Sequence, residues 1–467
     1  MSLSEKRIGW VITAFFIVAD MVGSGVVAIP IAFLKTGLCL GIMLMLVISS
    51  IFGYTGYLLG QNWIILLERW PSYKNHCRKP YVEIASKSMG KTMKLIASLI
   101  VYVTLFGTAV VYILLSTKIF DYFLYSYLAV RVNFCYLLCI VSLAIMPVTY
   151  LKSPAHFWGV IVFAMLCTIS AVVLIAFGIT EDAALCHPEV SYPPVYLPDA
   201  ILSFGTFLFA FSGHHCFPTI QADMEDARDF PKSVTFGFIM VAILYMPLSV
   251  FGYTVYGDSM SDSVIDSVQN PWIRESANLA IAVHCILTLI IMANPLSQQL
   301  EEFFKAPHSF GVERVLIRSA LLAVMLFCAL TIPDFGPFMN LVGSTTIPAV
   351  SAILPCICNL YLNAAYFDKK RNTYIIPTLS QVIERTNKVK LVWTSFIICL
   401  SVSVGLVAAY MSLNDIFNVN FTPPCYLRYI FPSNTTLLED MQVNCCGKFR
   451  NLNRYGNATD MCRFQQI

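Results

Sequence analysis

Eleven apolar runs, most of them close to the roughly 20 residues that cross about 30 Å of hydrocarbon, follow one another along this 467-residue chain. Hydrophobic residues make up 57% of the sequence and charged residues only 12%, which is about half the charged fraction of an ordinary soluble protein. The sequence therefore predicts an all-α membrane protein with eleven transmembrane helices. The predicted spans are 9–34, 38–67, 93–120, 134–151, 157–180, 200–220, 233–256, 276–300, 319–332, 335–366 and 391–413.

The rest of the composition limits the partners. The net charge of +3 is small and the basic residues are spread over the loops, so no nucleic-acid partner is expected. No metal-ligand spacing such as H-E-x-x-H occurs, and neither a metal nor a cofactor is predicted. The expected partners are the lipid bilayer and a small-molecule substrate, and the protein is expected to be a monomer.

The loops between the predicted spans differ in their content of lysine and arginine, which accumulate on the cytosolic side of a membrane. With the N-terminus inside, the inner segments hold 21 of these residues and the outer loops hold four, apart from five after the last span. We therefore predict a cytosolic N-terminus and an external C-terminus, which require an odd number of spans. The chain then divides into a transmembrane domain at 1–413 and an external tail at 414–467.

The predicted tail carries further features of an external segment. It contains the three N-x-[ST] acceptors of the chain, Asn420, Asn434 and Asn457, which are glycosylated only in a lumen or outside the cell. Disulfides persist in the same compartments, and five cysteines lie in the tail or in the loop before the sixth span. These disulfide candidates are Cys186, Cys425, Cys445, Cys446 and Cys462. The spacing does not give their connectivity, and at least one is left free if the other four pair.

The first span contains a stretch that weakens a helix, VADMVGSGVVAIP at 18–30. Backbone can leave the helix inside a membrane only where protein or a water-filled cavity satisfies its polar groups, so a break marks a site. Gly23 and Gly25 let the chain unwind and approach a ligand, and the exposed helix ends offer partial charges of both signs to a zwitterion. The alternative is that these small residues only allow a neighbouring helix to pack closely.

The sixth span contains a second break, FSGHHCFP at 211–218, which places a serine, a glycine and two histidines in mid-membrane. Interrupted spans at the first and sixth positions are what two inverted five-helix repeats produce, with substrate bound at the midplane between them. Adjacent positions on a helix point about 100° apart. One of the two histidines is therefore expected to face the cavity.

Three stretches resemble the amino acid/auxin permease family, a branch of the amino acid, polyamine and organocation transporters. They are FSGHHCFPTIQADMEDARDFPKS in the sixth span, GSGVVAIP in the first and IPDFGPFMNLVGSTTIPAVSAILPCICNLYL in the tenth. The resemblance covers the chain up to the tail, which departs from the family's short ending. It implies eleven helices in a LeuT-type fold, with five plus five inverted helices, broken first and sixth helices and one further helix. The residues that it implies for substrate binding are Val22, Gly23, Ser24, Gly25, Ser212, Gly213, His214 and His215.

Few ionisable residues lie inside the predicted spans, and such residues are functional by default because burying a charge is costly. Asp20 is predicted to carry a proton or to bind sodium, unless it only caps or pairs locally. Some sodium-using members of the resembled family place an asparagine near this position, so the aspartate favours protons. His215 is the second candidate for ion coupling, because histidine titrates near neutral pH. His284 is more simply a hydrogen-bonded core residue, and Tyr102 on the third span is a candidate to line the pocket.

Together these features predict a secondary active transporter that moves amino acids by alternating access and is coupled to protons. A non-transporting amino acid sensor that uses the same pocket is the alternative. A membrane acyltransferase is less favoured because no nucleophile and base pair accompanies the histidines. A channel would need rings of like residues or a repeated filter. We favour the plasma membrane over a lysosomal or vesicular membrane.

If the tail is external, the expressed protein should be glycosylated, and glycosidase treatment should increase its electrophoretic mobility. Replacing Asn420, Asn434 and Asn457 together with Gln should abolish that change, because no other N-x-[ST] acceptor exists in the chain. Labelling of a tag in the tail from the cytosolic side alone would reverse the predicted topology.

Overall fold

The computed structural model describes residues 8–74, 77, 79–128, 130, 132–150, 158–306, 311–370, 372–419, 422–427, 445–455 and 462. In the first half of these residues the α-helices are α1 Trp10–Thr36, α2 Leu38–Arg69, α3 Pro80–Met89, α4 Lys91–Leu128, α5 Phe134–Thr149, α6 Trp158–Cys186, α7 Leu197–Ala210 and α8 Phe217–Ala222. In the second half they are α9 Phe230–Tyr256, α10 Val264–Ser267, α11 Pro271–Phe303, α12 Val312–Thr331, α13 Phe335–Pro348, α14 Leu354–Ala364, α15 Leu379–Arg385 and α16 Lys388–Asn414. A short antiparallel hairpin, β1 Tyr366–Asp368 and β2 Thr373–Ile375, lies between α14 and α15.

Eight of the described helices or joined helix pairs are long and apolar enough to cross a bilayer, and the bent helix α1 makes a ninth. The α5 and α7 helices are apolar but shorter. Helices α13 and α14 form one span, joined by a π-helical turn at Ala349–Ile353. An all-helical membrane protein is therefore confirmed, and the count of eleven depends on adding α5 and the α7–α8 pair.

Both predicted breaks involve real departures from a straight helix, but they differ in kind. The first span bends by 55° between Trp10–Gly23 and Gly25–Thr36 while both sides stay helical. The first span therefore bends at this position but does not unwind as predicted. The sixth predicted span is divided into α7 and α8, with non-helical backbone at 211–216 between them.

The bent and divided helices lie at the centre of the helix packing. Helix α1 packs against α6, α7 and α9, while α13 packs against α4, α7 and α16. At the crossing of α7 and α13 the backbones touch, because a Cβ added at Gly205 would lie 2.6 Å from the Asn340 carbonyl oxygen. Glycine is therefore needed at this crossing, as in other close contacts between membrane helices.

One buried cluster of charges joins α11 to α12. The Glu301 carboxylate lies 2.6 Å from Arg318 Nε and 3.2 Å from Arg314 Nε, and Arg318 also donates to the Thr149 carbonyl at 2.6 Å. Arg318 is only 1% exposed. The pairing allows α12 to begin at Val312, before the predicted start at 319, because its two arginines do not have to reach water.

Three disulfides hold the described part of the tail. Cys135 pairs with Cys425, Cys186 pairs with Cys446, and Cys445 pairs with Cys462. All five predicted candidates are therefore bonded, and the expectation of a leftover thiol is wrong. The sixth partner is Cys135, which was not among the candidates because it lies inside the predicted fourth span at 134–151, and which stands in the first turn of α5.

Between these disulfides the tail contacts the segment that connects α9 to α11. The Gln269 side chain donates to the Leu452 carbonyl at 3.0 Å, and Arg450 donates to the Asp258 carbonyl at 2.8 Å. The three predicted glycosylation acceptors, Asn420, Asn434 and Asn457, lie outside the described residues.

Glu301→Gln should destabilise the protein by about 3 to 5 kcal/mol, because it leaves two buried guanidinium groups without their counter-charge. The neighbouring Glu302 supplies a matched control. Its ion pair with Lys79 is partly exposed, so Glu302→Gln should cost less than about 1 kcal/mol. Melting midpoints of the detergent-purified variants, measured by fluorescence-detected size exclusion, make the comparison, and equal midpoints would contradict a stabilising buried cluster.

Candidate functional site

The bend in α1 is shaped by side chains that fill the space beside its glycines. A Cβ added at Gly23 would lie 2.5 Å from His284 Nε2 and 3.2 Å from Tyr112 Cε1. A Cβ added at Gly25 would overlap the Tyr245 side chain. The predicted residue Val22 is fully buried beside them, and of Ser24 only the backbone is described. Helices α4, α9 and α11 thus all reach the bend.

The break between α7 and α8 is a short irregular turn. The Ser212 amide donates to the Phe209 carbonyl at 3.0 Å, and the Cys216 amide donates to the Gly213 carbonyl at 3.0 Å. These turn bonds replace the i to i−4 pattern of a helix, so α7 ends at Ala210 with carbonyl groups that need other donors.

The two breaks meet in space. A Cβ added at Gly213 would lie 3.0 Å from Asp20 Oδ2 and 3.3 Å from Met21 Cγ. The Tyr245 hydroxyl lies 2.7 Å from the Met21 carbonyl oxygen and 3.2 Å from the Ala210 carbonyl oxygen. One phenol can therefore donate to a carbonyl at either break, which satisfies backbone groups that the hydrocarbon could not.

Asp20 lies in a group of three donor side chains at this meeting point. One ligand atom each from Asp20, His215 and Cys216 lie within 4.8 Å of one another. His215 Nε2 is also 3.3 Å from the Met292 sulfur. Asp20 Oδ2 and His215 Nδ1 are buried and have no hydrogen-bond partner among the described residues. The three groups are close enough to coordinate one cation, whereas direct proton transfer between them would need a closer approach or a bridging water.

The adjacent histidine points elsewhere. His214 Nε2 lies 3.0 Å from the Phe52 carbonyl oxygen and 3.2 Å from Thr55 Oγ1, and the ring packs against Phe217. His214 is fully buried between α2 and α8. Of the two histidines, His215 is therefore the one that faces Asp20.

His284 is a hydrogen-bonded core residue that also contacts the site. Its Nδ1 lies 2.8 Å from Thr168 Oγ1, and its Nε2 lies 3.2 Å from Thr288 Oγ1. The same Nε2 atom occupies the space where a Gly23 side chain would stand. The expectation of a buried, hydrogen-bonded role thus agrees with its contacts, although its place beside the bend was not foreseen.

The structure does not bring Tyr102 into this group. Its hydroxyl donates to Gln299 Oε1 at 2.8 Å, and the residue lines an apolar cavity of about 610 Å³ between α4, α11 and α12. Tyr112, about 15 Å farther along α4, reaches the bend instead, with its hydroxyl 3.5 Å from the Asp20 carbonyl oxygen.

Sequence reasoning missed Tyr245 as a site residue. It gives no local signal, because a tyrosine in an apolar span usually packs as a core residue. Only the contacts of its hydroxyl with both breaks reveal its position.

The two breaks differ in the backbone groups that they expose. The carbonyl end of α7 carries the partial negative charge of a helix C-terminus. Helix α1 is continuous from Trp10 to Thr36 and changes direction by 55° beside Gly23 and Gly25. Side chains of His284, Tyr245 and Asp20 lie in the space next to Gly23, Gly25 and Gly213.

Residues 6–416 match the family model described as transmembrane amino acid transporter protein. This chain belongs to that family. Members of the transmembrane amino acid transporter family are named as transporters and not as enzymes, which removes support for the acyltransferase alternative.

Two relatives from Arabidopsis thaliana show how low the sequence identity between family members can be. The chain is 25% identical over 348 residues to amino acid transporter AVT1B, with 72% of this chain and 62% of that protein covered. It is 25% identical over 386 residues to lysine histidine transporter-like 1, with 76% and 80% covered. The chain thus spans less than two thirds of the length of AVT1B.

Solved structures of the LeuT-type fold resemble this member of the transmembrane amino acid transporter family in fold alone. MhsT in complex with L-phenylalanine matches with a TM-score of 0.57 at 9% identity, covering 86% of this chain and 98% of MhsT. The Eremococcus coleocola manganese transporter matches with a TM-score of 0.52 at 11% identity, covering 88% of each chain.

Gly23→Leu and Gly213→Leu should each reduce amino acid uptake at least about a hundredfold, because the new side chain must displace His284 or Asp20 and so changes the backbone and side chains where the two breaks meet. Loss of two charge-assisted hydrogen bonds at about 1.5 to 3 kcal/mol each gives that magnitude. Gly336→Leu is the matched control, since nothing lies within 4 Å of a Cβ added at Gly336. Uptake into proteoliposomes is measured at equal protein insertion. Normal uptake by either site variant would return that glycine to a packing role.

Proposed function

We propose that this protein is a secondary active transporter that carries amino acids across a membrane by alternating access, coupled to protons. The observation that carries the proposal is the meeting of the two helix breaks, where Gly213 contacts Asp20 and Tyr245 bridges the carbonyl groups of Met21 and Ala210. Family membership supports amino acids as the substrate class. The comparisons do not favour a non-transporting sensor.

The proposed substrate site lies between the two breaks. We propose that the segment Val22–Gly25 binds the carboxylate when the bend in α1 opens, and that the segment Ser212–His215 together with the carbonyl end of α7 binds the ammonium group. Interactions with helix ends are strong here because no water competes in the low-dielectric interior. These two contacts recognise the carboxylate and the ammonium group that all amino acids share. Other residues of the cavity would therefore have to recognise the side chain of the substrate.

The donor set around Asp20 supports a proton over sodium as the coupling ion. Sodium is a hard cation, and hard cations take oxygen ligands, whereas the side chains grouped within 4.8 Å of the Asp20 carboxylate are an imidazole and a thiol. A buried carboxylate without a hydrogen-bond partner is costly unless it is protonated or binds a cation. We infer that Asp20 binds the transported proton and that His215 exchanges it.

The architecture that we propose has eleven spans, with α5 and the α7–α8 pair included, in two inverted five-helix repeats plus α16. The transmembrane domain is 1–413, and the tail from 414 is external. Contacts between predicted outer segments support this topology, since the tail residue Arg450 binds the Asp258 carbonyl and Lys118 pairs with Asp262. The N-terminus is then cytosolic.

The remaining proposals concern the whole protein. The disulfides of the tail suit an oxidising compartment and therefore support an external C-terminus. We propose the plasma membrane as the location and a monomer as the transporting unit. Surface biotinylation and the mass of the detergent-purified protein test these two statements.

The decisive experiment is uptake of a labelled amino acid panel into proteoliposomes, with inward proton and sodium gradients imposed separately. We expect at least one amino acid to accumulate under the proton gradient with sodium absent. Correctly inserted protein that accumulates no amino acid under either gradient would overturn the transporter proposal.

Asp20→Asn should lose accumulation driven by a proton gradient but keep exchange of labelled for unlabelled substrate. Exchange requires the site to alternate between the two sides but requires no net proton movement, and the amide cannot carry the proton. Wild-type uptake without sodium should rise as external pH falls from about 7.5 towards 5.5, the range in which histidine loads. Both are measured in proteoliposomes.

A buried aspartate outside the site serves as the control. Asp182 accepts from Tyr256 and from the Gln269 amide at 2.6 and 2.9 Å, so Asp182→Asn should keep proton-driven accumulation. Uptake that depends on sodium and does not respond to pH would overturn the roles given to Asp20 and His215.

A further inference from the structure

The segment between α14 and α16 forms a basic surface where two spans end. Residues 366–390 contain six lysines and arginines and only two acidic residues. The chain leaves the membrane at Ala364 and re-enters it at Lys388, so the hairpin β1–β2 and helix α15 lie at the same membrane boundary as the ends of α14 and α16.

This segment is preformed and tied to the end of α14. The Arg385 guanidinium lies 4.7 Å above the Tyr366 ring and donates to the Ala364 carbonyl at 3.1 Å. The Arg69 guanidinium lies 4.7 Å above the Tyr374 ring and donates to the Leu362 carbonyl at 2.6 Å. A capping box at Thr378 begins α15. The surface therefore needs little ordering to bind a ligand.

An apolar groove of about 400 Å³ opens beside α15 and runs between α14 and α16. Its lining includes Leu379, Ile383, Tyr361, Leu391, Ser395 and Ile398. Leu391 and Ile398 are separated by about 10 Å along α16, so the groove runs from the membrane boundary into the hydrocarbon. That direction and that lining fit the upper part of one acyl chain.

Cations stand at the boundary end of the groove. Lys390 directly precedes the lining residue Leu391, and Lys388 begins the same helix. Neither lysine pairs with a carboxylate in the part of the chain that the structure describes. Leu379 and Ile383 of α15, 64% and 53% exposed, complete an apolar patch next to these charges. A ligand with one phosphate and one acyl chain matches both features.

We propose that this surface is a binding site for one anionic phospholipid. Its phosphate lies at the first turn of α16 beside Lys388, which shares one face of that helix with Leu391, Ser395 and Ile398, and one of its acyl chains lies in the groove between α14 and α16. The charge complementarity and the continuity of the groove with the bilayer select a lipid over a soluble phosphate or a peptide. Lipid binding at this surface is independent of substrate transport.

Native mass spectrometry of the full-length protein, titrated with phosphatidylglycerol or with phosphatidylcholine of identical chains, tests the site. Two lysines near a phosphate should give a preference of about tenfold to thirtyfold for one phosphatidylglycerol. The double variant Lys388→Gln, Lys390→Gln should lose this preference. The matched control Lys369→Gln, Lys370→Gln removes the same charge from the hairpin turn and should keep it.

A third variant separates the groove from the charges. Ser395→Trp fills the groove from an exposed position and should weaken retention of both lipids severalfold while leaving the melting midpoint in lipid-free detergent unchanged. Three results would each overturn the proposal. They are equal binding of the two lipids by the wild type, equal loss of the phosphatidylglycerol preference in the two double lysine variants, and unchanged lipid retention in Ser395→Trp.

Discussion

The structure depends on one constraint, which is that a polar backbone group in hydrocarbon must find a partner within the protein. Most of the chain meets it by forming continuous helices. At 211–216 the helix is interrupted, and the Tyr245 hydroxyl of α9 lies within donating distance of both the Ala210 carbonyl and the Met21 carbonyl on α1, so its one proton can serve either. The same interaction that makes the interruption tolerable therefore brings the two breaks together, so the candidate site follows from how the fold satisfies its backbone.

Buried charge obeys a similar constraint, and the exceptions are informative. Glu301 pairs with both Arg314 and Arg318, so this cluster joins α11 and α12 through buried ion pairs. Asp20 has an oxygen with no partner among the described residues, beside an imidazole and a thiol that do not supply a counter-charge. The first cluster has a structural role, whereas the environment of Asp20 agrees with the ion-coupling role that we propose for it.

The sequence predicted the helical membrane fold and both break positions, because hydrophobic run length and glycine placement are local signals. It did not predict that the chain at Gly23 bends instead of unwinding, since that depends on His284 filling the adjacent space. The predicted ninth span begins at 319, later than the start of α12 at Val312. Arginines in this position indicate a loop unless their buried partner Glu301 is known. Cys135 was not among the disulfide candidates for a similar reason, since its partner Cys425 is 290 positions away in the sequence. Errors therefore arose wherever a distant partner decides a residue's environment.

Disulfides join some elements of the fold, whereas hydrogen bonds alone join others, and this difference affects which helices can move. The disulfides of the described tail attach it to α5 and α6, and none involves α1, α7 or α8. At the face that carries the basic loops, the broken helices are joined through Ile8 by two backbone hydrogen bonds, to Asp223 and Glu225, each 3.0 Å long. Such bonds contribute about 1 kcal/mol each and exchange readily with water. Covalent bonds thus restrain α5 and α6, while reversible bonds join the broken helices at the basic face, and this distribution agrees with the alternating access that we propose.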